Sequence, residues 1–191
     1  MIKTGLLFGS FNPIHIGHLI IANTVLEGTD LDEVWFVVSP LNPFKSSATL
    51  LHHFDRYEMV KRAIDDNVRF RVSDIEFSLP QPSYTIDTLV YLKEKNPGHD
   101  FSLIMGEDNL AQLPRWKNYQ QILENFFIYY YARPNVTVSS LGTHPKIKQV
   151  EAPLLDISAT FIRKCIKEGK SIRYLVPQEV EDYLRVKKFF L

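Results

Sequence analysis

The stretch Gly9-Ser-Phe-Asn-Pro-Ile-His-Ile-Gly-His18 stands between two segments of different periodicity. Before it, the run from Ile2 to Phe8 is apolar enough for a buried strand, and after it apolar residues recur at helical spacing until about Gly28. A strand that turns through small residues into a helix is the opening unit of a doubly wound α/β sheet. The free N–H groups at the start of such a helix attract phosphate. The stretch therefore predicts both a fold class and an anion site.

Two histidines, His15 and His18, are three residues apart in this stretch and share one face of the first helical turn. Imidazoles beside a helix N-terminus can donate hydrogen bonds to phosphate oxygens as negative charge builds on them. Gly9, Ser10 and Gly17 are small, so a nucleotide can approach the backbone closely. For either histidine alone a buried, satisfied side chain is the better interpretation, whereas the pair at this spacing favours function. A zinc site is less favoured, because no third ligand candidate lies nearby in sequence.

Short apolar runs alternate with segments of helical period along the rest of the chain. Further strands are predicted at 34–38, 68–72, 101–105 and 126–131, and further helices at 54–64, 83–95, 158–168 and 177–187. This alternation predicts a Rossmann-like, doubly wound parallel sheet, with 1–191 forming a single domain whose helical C-terminal part begins at about residue 156. The ligand crevice of such a sheet lies at the carboxyl ends of its strands.

Composition and charge argue against several other classes of protein. The 22 Lys and Arg residues balance 22 Asp and Glu and form no extended stripe, so neither nucleic acid nor an anionic membrane is an expected partner. From Thr4 to Leu26 no residue is charged, but Asn12 and Pro13 would be costly within a membrane span. The single cysteine, Cys165, allows no internal disulfide and no multi-cysteine metal site. We expect a soluble protein of the reducing cytoplasm.

A second anion-binding motif is predicted near the C-terminus, at Ile157-Ser-Ala-Thr-Phe-Ile-Arg163. Asp156 or Ser158 can cap a helix there, and the hydroxyls of Ser158 and Thr160 with nearby N–H groups can cradle a phosphate. The guanidinium of Arg163, about one turn into the helix, can fork onto polyphosphate oxygens. Alone, this motif is better explained as a capped surface helix. Together with the first motif it favours a polyphosphate site.

The two motifs resemble the signatures of the cytidylyl/adenylyl-transferase superfamily, the HxGH nucleotidyltransferases. The first motif matches as Gly9-x-Phe-x-Pro-x-His-x-Gly-His18, and the second resembles the ISxTxIR element. The resemblance implies that ATP is bound through Gly9, Ser10, Phe11 and His18, and at its β,γ end through Ser158, Thr160 and Arg163. It also implies that the catalytic side chains are His15, His18, Lys45 and Arg163.

Three more segments resemble the bacterial nicotinate-nucleotide adenylyltransferases: Pro82-Ser-Tyr-Thr85-Ile-Asp-Thr-Leu89, Gly106-Glu-Asp108-Asn-Leu110 followed by Trp116, and Ala132-Arg133-Pro134 with Asn135 in place of glycine. The resemblance implies an acceptor pocket with Lys45, Tyr84, Thr85 and Trp116, and further ATP contacts from Gly106, Asp108 and Arg133. A pyridine ring can stack on Trp116, and its carboxylate can accept hydrogen bonds from Thr85. The structural alternatives are core packing for Trp116, a helix cap for Thr85 and the start of a helix for Asp108.

One segment departs from the family pattern. Where the family often has Pro-Pro-His and a basic residue, this chain has Asn42-Pro-Phe-Lys45, so Phe44 stands in place of a histidine and Lys45 remains.

The predicted reaction is adenylyl transfer from ATP to nicotinate mononucleotide, with Mg²⁺ held mainly by ATP phosphates and with self-association into a homo-oligomer left open. The alternatives are nicotinamide mononucleotide or phosphopantetheine as acceptor, and a nucleotide-binding regulator without catalysis.

Overall fold

A computed structural model describes residues 1–40, 49–134 and 140–191, and in it strands alternate with helices. The strands are β1 (Ile2–Gly9), β2 (Glu33–Val38), β3 (Phe70–Ser73), β4 (His99–Gly106), β5 (Phe127–Tyr131) and β6 (Ile147–Val150). The helices are α1 (Ile16–Gly28), α2 (His53–Ile64), α3 (Thr85–Lys95), α4 (Glu107–Gln112), α5 (Tyr119–Asn125), α6 (Ala159–Lys167) and α7 (Gln178–Lys187).

The six strands form one sheet in the order β3-β2-β1-β4-β5-β6, and every neighbouring pair is parallel. The order reverses between β1 and β4, where Leu6 of β1 is aligned with Trp35 on one side and with Leu103 on the other. The predicted doubly wound parallel sheet is therefore confirmed. In this topology a crevice opens at the carboxyl ends of β1 and β4, next to Gly9 and Gly106.

Helices cover both faces of the sheet, which explains why the strands read as continuous apolar runs. Leu7 of β1 belongs to a buried cluster that includes Val25 of α1, Met59 of α2, Ile162 of α6 and Leu184 of α7. Its neighbour Leu6 points to the opposite face, into a second cluster with Leu89 of α3, Leu110 of α4 and Ile122 of α5. The two clusters fix the helices that begin at the carboxyl edge of the sheet.

Most predicted elements occur within a few residues of their predicted bounds. Three short elements are absent from the predicted strands and helices, although the start of a helix at Asp108 is among the alternatives given above. These are β6, α4 and α5, of four, six and seven residues. In β6 the buried Ile147 and Val150 are separated by two exposed residues. The strand therefore lacks the alternation of apolar and polar residues that identifies a half-buried strand in a sequence. A sequence pattern of this length does not distinguish a strand from a loop.

The uncharged segment from Thr4 to Leu26 is accounted for by core packing. It forms most of β1 and α1, where Leu7, Ile21 and Ala22 are buried. Among the described residues, no helix combines the length and apolar character needed to cross a membrane.

Candidate active site

A cleft at the carboxyl edge of the sheet brings together residues from both phosphate motifs and from the turn after β5. His15, Gly17 and His18 line it from the first motif, and Ile157 lines it from the second. Arg133 closes it from the side of β5. Segments that are far apart in sequence thus meet at one place, as the two motifs predict.

The imidazoles of His15 and His18 are stacked, with ring centroids 3.7 Å apart and planes inclined by 30°. The backbone N–H of His15 donates to Nδ1 of His18 at 3.2 Å. Because Nδ1 is an acceptor in this bond, the neutral ring of His18 carries its proton on Nε2. In this tautomer Nε2 is the ring nitrogen that carries a proton for donation.

Two buried side-chain nitrogens of the described residues lack a hydrogen-bond partner, and both belong to this cleft. They are Nδ1 of His15 and Nε of Arg133. Buried polar atoms are nearly always bonded, so an orphan pair in one cleft indicates a ligand site. Burial lowers the pKa of His15 to about 4, and the nearby positive charge of Arg133 acts in the same direction. At neutral pH the ring of His15 is therefore uncharged until an anion approaches.

Phe11 shapes the first motif from inside the core. It is 2% exposed, has a φ of 44°, and its ring meets the ring of His18 edge to face at 5.1 Å. A Cβ atom on Gly9 would lie 2.7 Å from the same phenyl ring. The space beside Gly9 is thus taken by Phe11, so Phe11 has only its backbone to offer to ATP.

The second motif begins α6 and reaches the first motif through Arg163. Ser158 is the N-cap, and its hydroxyl oxygen accepts from the N–H of Phe161 at 3.2 Å, which confirms the predicted cap. Arg163 donates from Nη1 to the carbonyl of Asn12 at 2.8 Å and from Nη2 to the hydroxyl of Thr160 at 3.1 Å. These bonds place the guanidinium beside the loop that carries the histidines.

Gly106, Asp108 and Arg133 form one group at the end of β4 and β5. The Nε of Arg133 lies 3.6 Å from Oδ1 of Asp108, and its guanidinium lies over the ring of Tyr131 at 5.3 Å. A Cβ atom on Gly106 would lie 2.4 Å from the Asp108 carboxylate and 3.0 Å from Arg133. Glycine is therefore required here for the ion pair to close over the strand. Asp108 lies in the first turn of α4.

Of the predicted acceptor residues, Tyr84, Thr85 and Trp116 lie outside the walls of this cleft but next to one another. Tyr84 is the N-cap of α3 and Thr85 its first residue. Lys117, which follows Trp116, is 2.8 Å from Asp87 of α3 and lies over the ring of Tyr84 at 4.8 Å. Trp116 is half-buried against the second core cluster. The structure therefore brings the Thr85 and Trp116 segments together and gives Trp116 a partial role in packing.

Lys45, proposed for catalysis and acceptor binding, lies outside the described residues, as do Phe44 and Asn135.

Arg56 is a buried support of the site that the sequence analysis does not identify. It is fully buried on α2 and donates from Nε to Leu51 at 2.9 Å. Its two terminal nitrogens donate to the carbonyls of Ser10, Ser39 and Pro40 at 2.6, 2.7 and 2.8 Å. A signal was available in the sequence, because Arg56 shares the apolar stripe of α2 with Met59, Val60 and Ala63.

Comparison with known proteins gives matches along nearly the whole chain. Residues 6–165 match the family model described as cytidylyltransferase-like. A protein of Cytophaga hutchinsonii named probable nicotinate-nucleotide adenylyltransferase is 59% identical over 188 residues, which cover 98% of each chain. A protein of the same name from Flavobacterium johnsoniae is 53% identical over 190 residues, with the same coverage.

The fold has a close counterpart among solved structures. Nicotinic acid mononucleotide adenylyltransferase of Plasmodium falciparum, complexed with NaAD, matches with a TM-score of 0.84 over 100% of this chain and 98% of that chain. The two sequences are 20% identical, so this likeness shows the fold alone.

Proposed function

The chain belongs to the cytidylyltransferase-like family and, within it, to the nicotinate-nucleotide adenylyltransferases, and from this we propose its reaction. It joins the adenylyl group of ATP to nicotinate mononucleotide. The products are nicotinate adenine dinucleotide and pyrophosphate, and the reaction is a step of NAD biosynthesis. The bond of 2.8 Å from Arg163 to Asn12 supports the proposal best, because a bound triphosphate has to touch both motifs at once.

The reaction is a direct displacement. An oxygen of the acceptor phosphate attacks the α-phosphorus of ATP, the bond from that phosphorus to the bridging oxygen breaks, and pyrophosphate leaves on the opposite side. No side chain has to form a covalent bond in this step. The protein contributes by positioning two anions and by neutralising the charge that builds on the phosphate oxygens.

The first motif is proposed to hold the α-phosphate. His18 donates from Nε2 to a non-bridging oxygen, since its Nδ1 already accepts from the backbone of His15. The unpartnered Nδ1 of His15 takes up a proton as the anion raises its pKa, and then donates as well. Backbone groups of Gly9, Ser10 and Phe11 line the path of the nucleotide.

The second motif is proposed to hold the leaving pyrophosphate. The hydroxyl of Ser158 can donate its proton while its oxygen accepts from the N–H of Phe161. Thr160 is the second residue of the same helix. Arg163 points its guanidinium at the same loop, where it can bind two oxygens at once. Lys45 is proposed to add positive charge near the reacting phosphates.

Two further groups are proposed to bind the remaining parts of the nucleotides. Asp108 accepts from ribose hydroxyls of the adenylyl part, with Arg133 and Gly106 beside it. Tyr84, Thr85 and Trp116 bind the pyridine nucleotide, with the ring stacked on the indole and its carboxylate bonded to Thr85.

We propose that Mg²⁺ accompanies the ATP phosphates. No group of three His, Cys, Asp or Glu side chains among the described residues could hold a metal ion. Asp108, the carboxylate beside the cleft, already faces Arg133. The donor set thus fits a cation carried by phosphate oxygens, where it would neutralise charge on the leaving group.

We propose that the reaction takes place in the cytoplasm, which agrees with the buried free thiol of Cys165. We also propose that residues 1–191 form a single domain, in which the helical part from about residue 156 carries the second motif. ATP and nicotinate mononucleotide are its partners.

The proposal is tested by measuring pyrophosphate release from Mg·ATP with three acceptors in parallel. The acceptors are nicotinate mononucleotide, nicotinamide mononucleotide and phosphopantetheine. We expect strong turnover with nicotinate mononucleotide alone. Turnover with another acceptor would overturn the assignment of the Thr85 and Trp116 pocket while retaining the phosphate chemistry. Folded protein that binds ATP but releases no pyrophosphate with any acceptor would indicate a nucleotide-binding regulator.

A further inference from the structure

Glu76 is a carboxylate held in the interior by hydroxyl groups. It lies in the 3₁₀ turn Ile75–Phe77, is 3% exposed, and accepts a hydrogen bond of 2.9 Å from the hydroxyl of Thr88 on α3. Burial raises the pKa of Glu76, because the charged form loses its hydration. The side chains of Ser39 and Ser83 lie close enough to Glu76 to favour its charged form, which opposes this rise in pKa.

The three hydroxyl side chains that interact with Glu76 come from two sides of the proposed site. Ser83 and Thr88 enclose the acceptor residues Tyr84 and Thr85 at the start of α3. Ser39 instead follows β2, and its backbone N–H donates to the carbonyl of Gly9 at 2.9 Å. Glu76 therefore joins the acceptor segment to the end of β2.

Arg56 continues this connection from Ser39 to the first motif. A single nitrogen, Nη1, donates to the carbonyl of Ser39 at 2.7 Å and to the carbonyl of Ser10 at 2.6 Å. A chain of polar contacts thus runs from Thr88 through Glu76, Ser39 and Arg56 to Ser10.

We propose that Glu76 is a positioning residue, an inference that rests on the proposed function. It holds the acceptor segment 82–88 at a fixed position relative to the ATP-binding loop at Ser10. In-line attack depends on the relative placement of two separately bound nucleotides, and a displacement of about 1 Å can reduce the rate on the order of 100-fold. Neither nucleotide touches Glu76 in this role. Its effect passes through Ser39 on one side and through Ser83 and Thr88 on the other.

Glu33 provides a matched control at the opposite edge of the sheet. Its carboxylate is also buried, at 7% exposure, and it accepts from the hydroxyl of Thr4 at 3.0 Å and from Nε1 of Trp35 at 2.7 Å. Unlike Glu76, it also lies 3.0 Å from Nε of Arg71 and 3.3 Å from Nδ1 of His99. It lies at the start of β2, at the amino end of the strands. Loss of this network affects stability without changing the arrangement of the site.

The test compares Ser39→Ala, Glu76→Gln and their double variant with Glu33→Gln and Thr4→Val. Ser39→Ala is the sharpest change, because it removes the hydroxyl that interacts with Glu76 and leaves the carbonyl that bonds Arg56. We expect kcat to fall about tenfold for Ser39→Ala and at least as far for Glu76→Gln, with the KM for ATP within about threefold of the parent. The double variant is expected to be no slower than the slower single variant, because both changes break the same connection.

Melting temperature and kcat separate positioning from structural support. Glu33→Gln and Thr4→Val are expected to change the melting temperature but to keep kcat within about twofold. Parent-like kcat in Ser39→Ala and Glu76→Gln, or additive losses in the double variant, would overturn the positioning role and leave the proposed function intact. A parent protein that releases no pyrophosphate with any acceptor would instead overturn the proposed function, and the positioning role with it.

Discussion

Arg163 donates a hydrogen bond of 2.8 Å from Nη1 to the backbone carbonyl of Asn12, a residue 151 positions earlier in the chain. Its Nη2 is bonded to Thr160 on its own helix at 3.1 Å. The guanidinium is thereby fixed between the two phosphate motifs before any nucleotide binds. Because it has further N–H donors, it can still bind phosphate oxygens in this orientation. A preorganised cation of this kind stabilises developing charge without rearranging.

We expect Arg163→Lys to lower kcat/KM for ATP on the order of 100-fold, although the positive charge is kept. The ammonium group of lysine cannot bond Asn12, Thr160 and two phosphate oxygens in one plane. Steady-state pyrophosphate release measures the effect. Arg185→Ala, which removes a 75% exposed arginine of α7, serves as the control and should leave kcat/KM unchanged. An Arg163→Lys variant within a few-fold of the parent would contradict the assigned role.

His18→Asn is expected to lower kcat by about 100-fold or more while the protein stays folded. The Asn Oδ1 can replace Nδ1 as the acceptor for the N–H of His15, but the distal N–H that would reach the phosphate is lost. His18→Ala should be similarly slow and also less stable. Turnover and thermal unfolding are measured together, with His144→Ala as a control outside the cleft. If His18→Asn turns over at the parent rate, the proposed phosphate contact is wrong.

The sequence predicts those parts of the site that consist of contiguous motifs. The stretch from Gly9 to His18 carries its own strand, turn and helix signals, so its place at the carboxyl edge follows from local pattern. Glu76 differs, because a single charged residue in a turn is normally exposed, and for Arg56 the apolar stripe of α2 indicates burial but not its partners. The burial of both residues depends on carbonyl and hydroxyl groups supplied by segments distant in sequence, such as Ser39, and local pattern does not reveal such partners.

The pKa of His15, at about 4, predicts a pH dependence of stability with a definite sign. Between pH 6.5 and about 4 the unfolded chain binds a proton at this position and the folded protein does not, so stability falls as the pH falls through that window. The contribution is about 3 kcal/mol when complete. Urea unfolding at several pH values should show this decrease in the parent and a smaller one in His15→Asn. NMR titration should place the pKa of His15 higher when tripolyphosphate is bound, and an unshifted pKa would contradict phosphate binding there.

Trp116→Ala should raise the KM for nicotinate mononucleotide about tenfold and leave the KM for ATP unchanged, because stacking on one ring is lost. Trp116→Phe should retain part of the affinity. The chain has two tryptophans, so in a Trp35→Phe background the fluorescence reports on Trp116 alone. Quenching by nicotinate mononucleotide but not by ATP would support the stack. Equal acceptor KM values in the parent and Trp116→Ala would assign the indole to core packing.

Gly9→Ala tests whether glycine is needed at this position to leave space for the Phe11 ring or to allow contact with ATP. The new methyl group would lie 2.7 Å from that ring, so we expect a loss of about 1–3 kcal/mol in unfolding free energy together with lower turnover. Gly98→Ala is the matched control, because nothing lies within 4 Å of its Cβ position. Adding Phe11→Leu to Gly9→Ala should restore stability, since the smaller side chain vacates the space. If stability is unchanged in Gly9→Ala while the KM for ATP rises, the glycine instead makes room for the nucleotide.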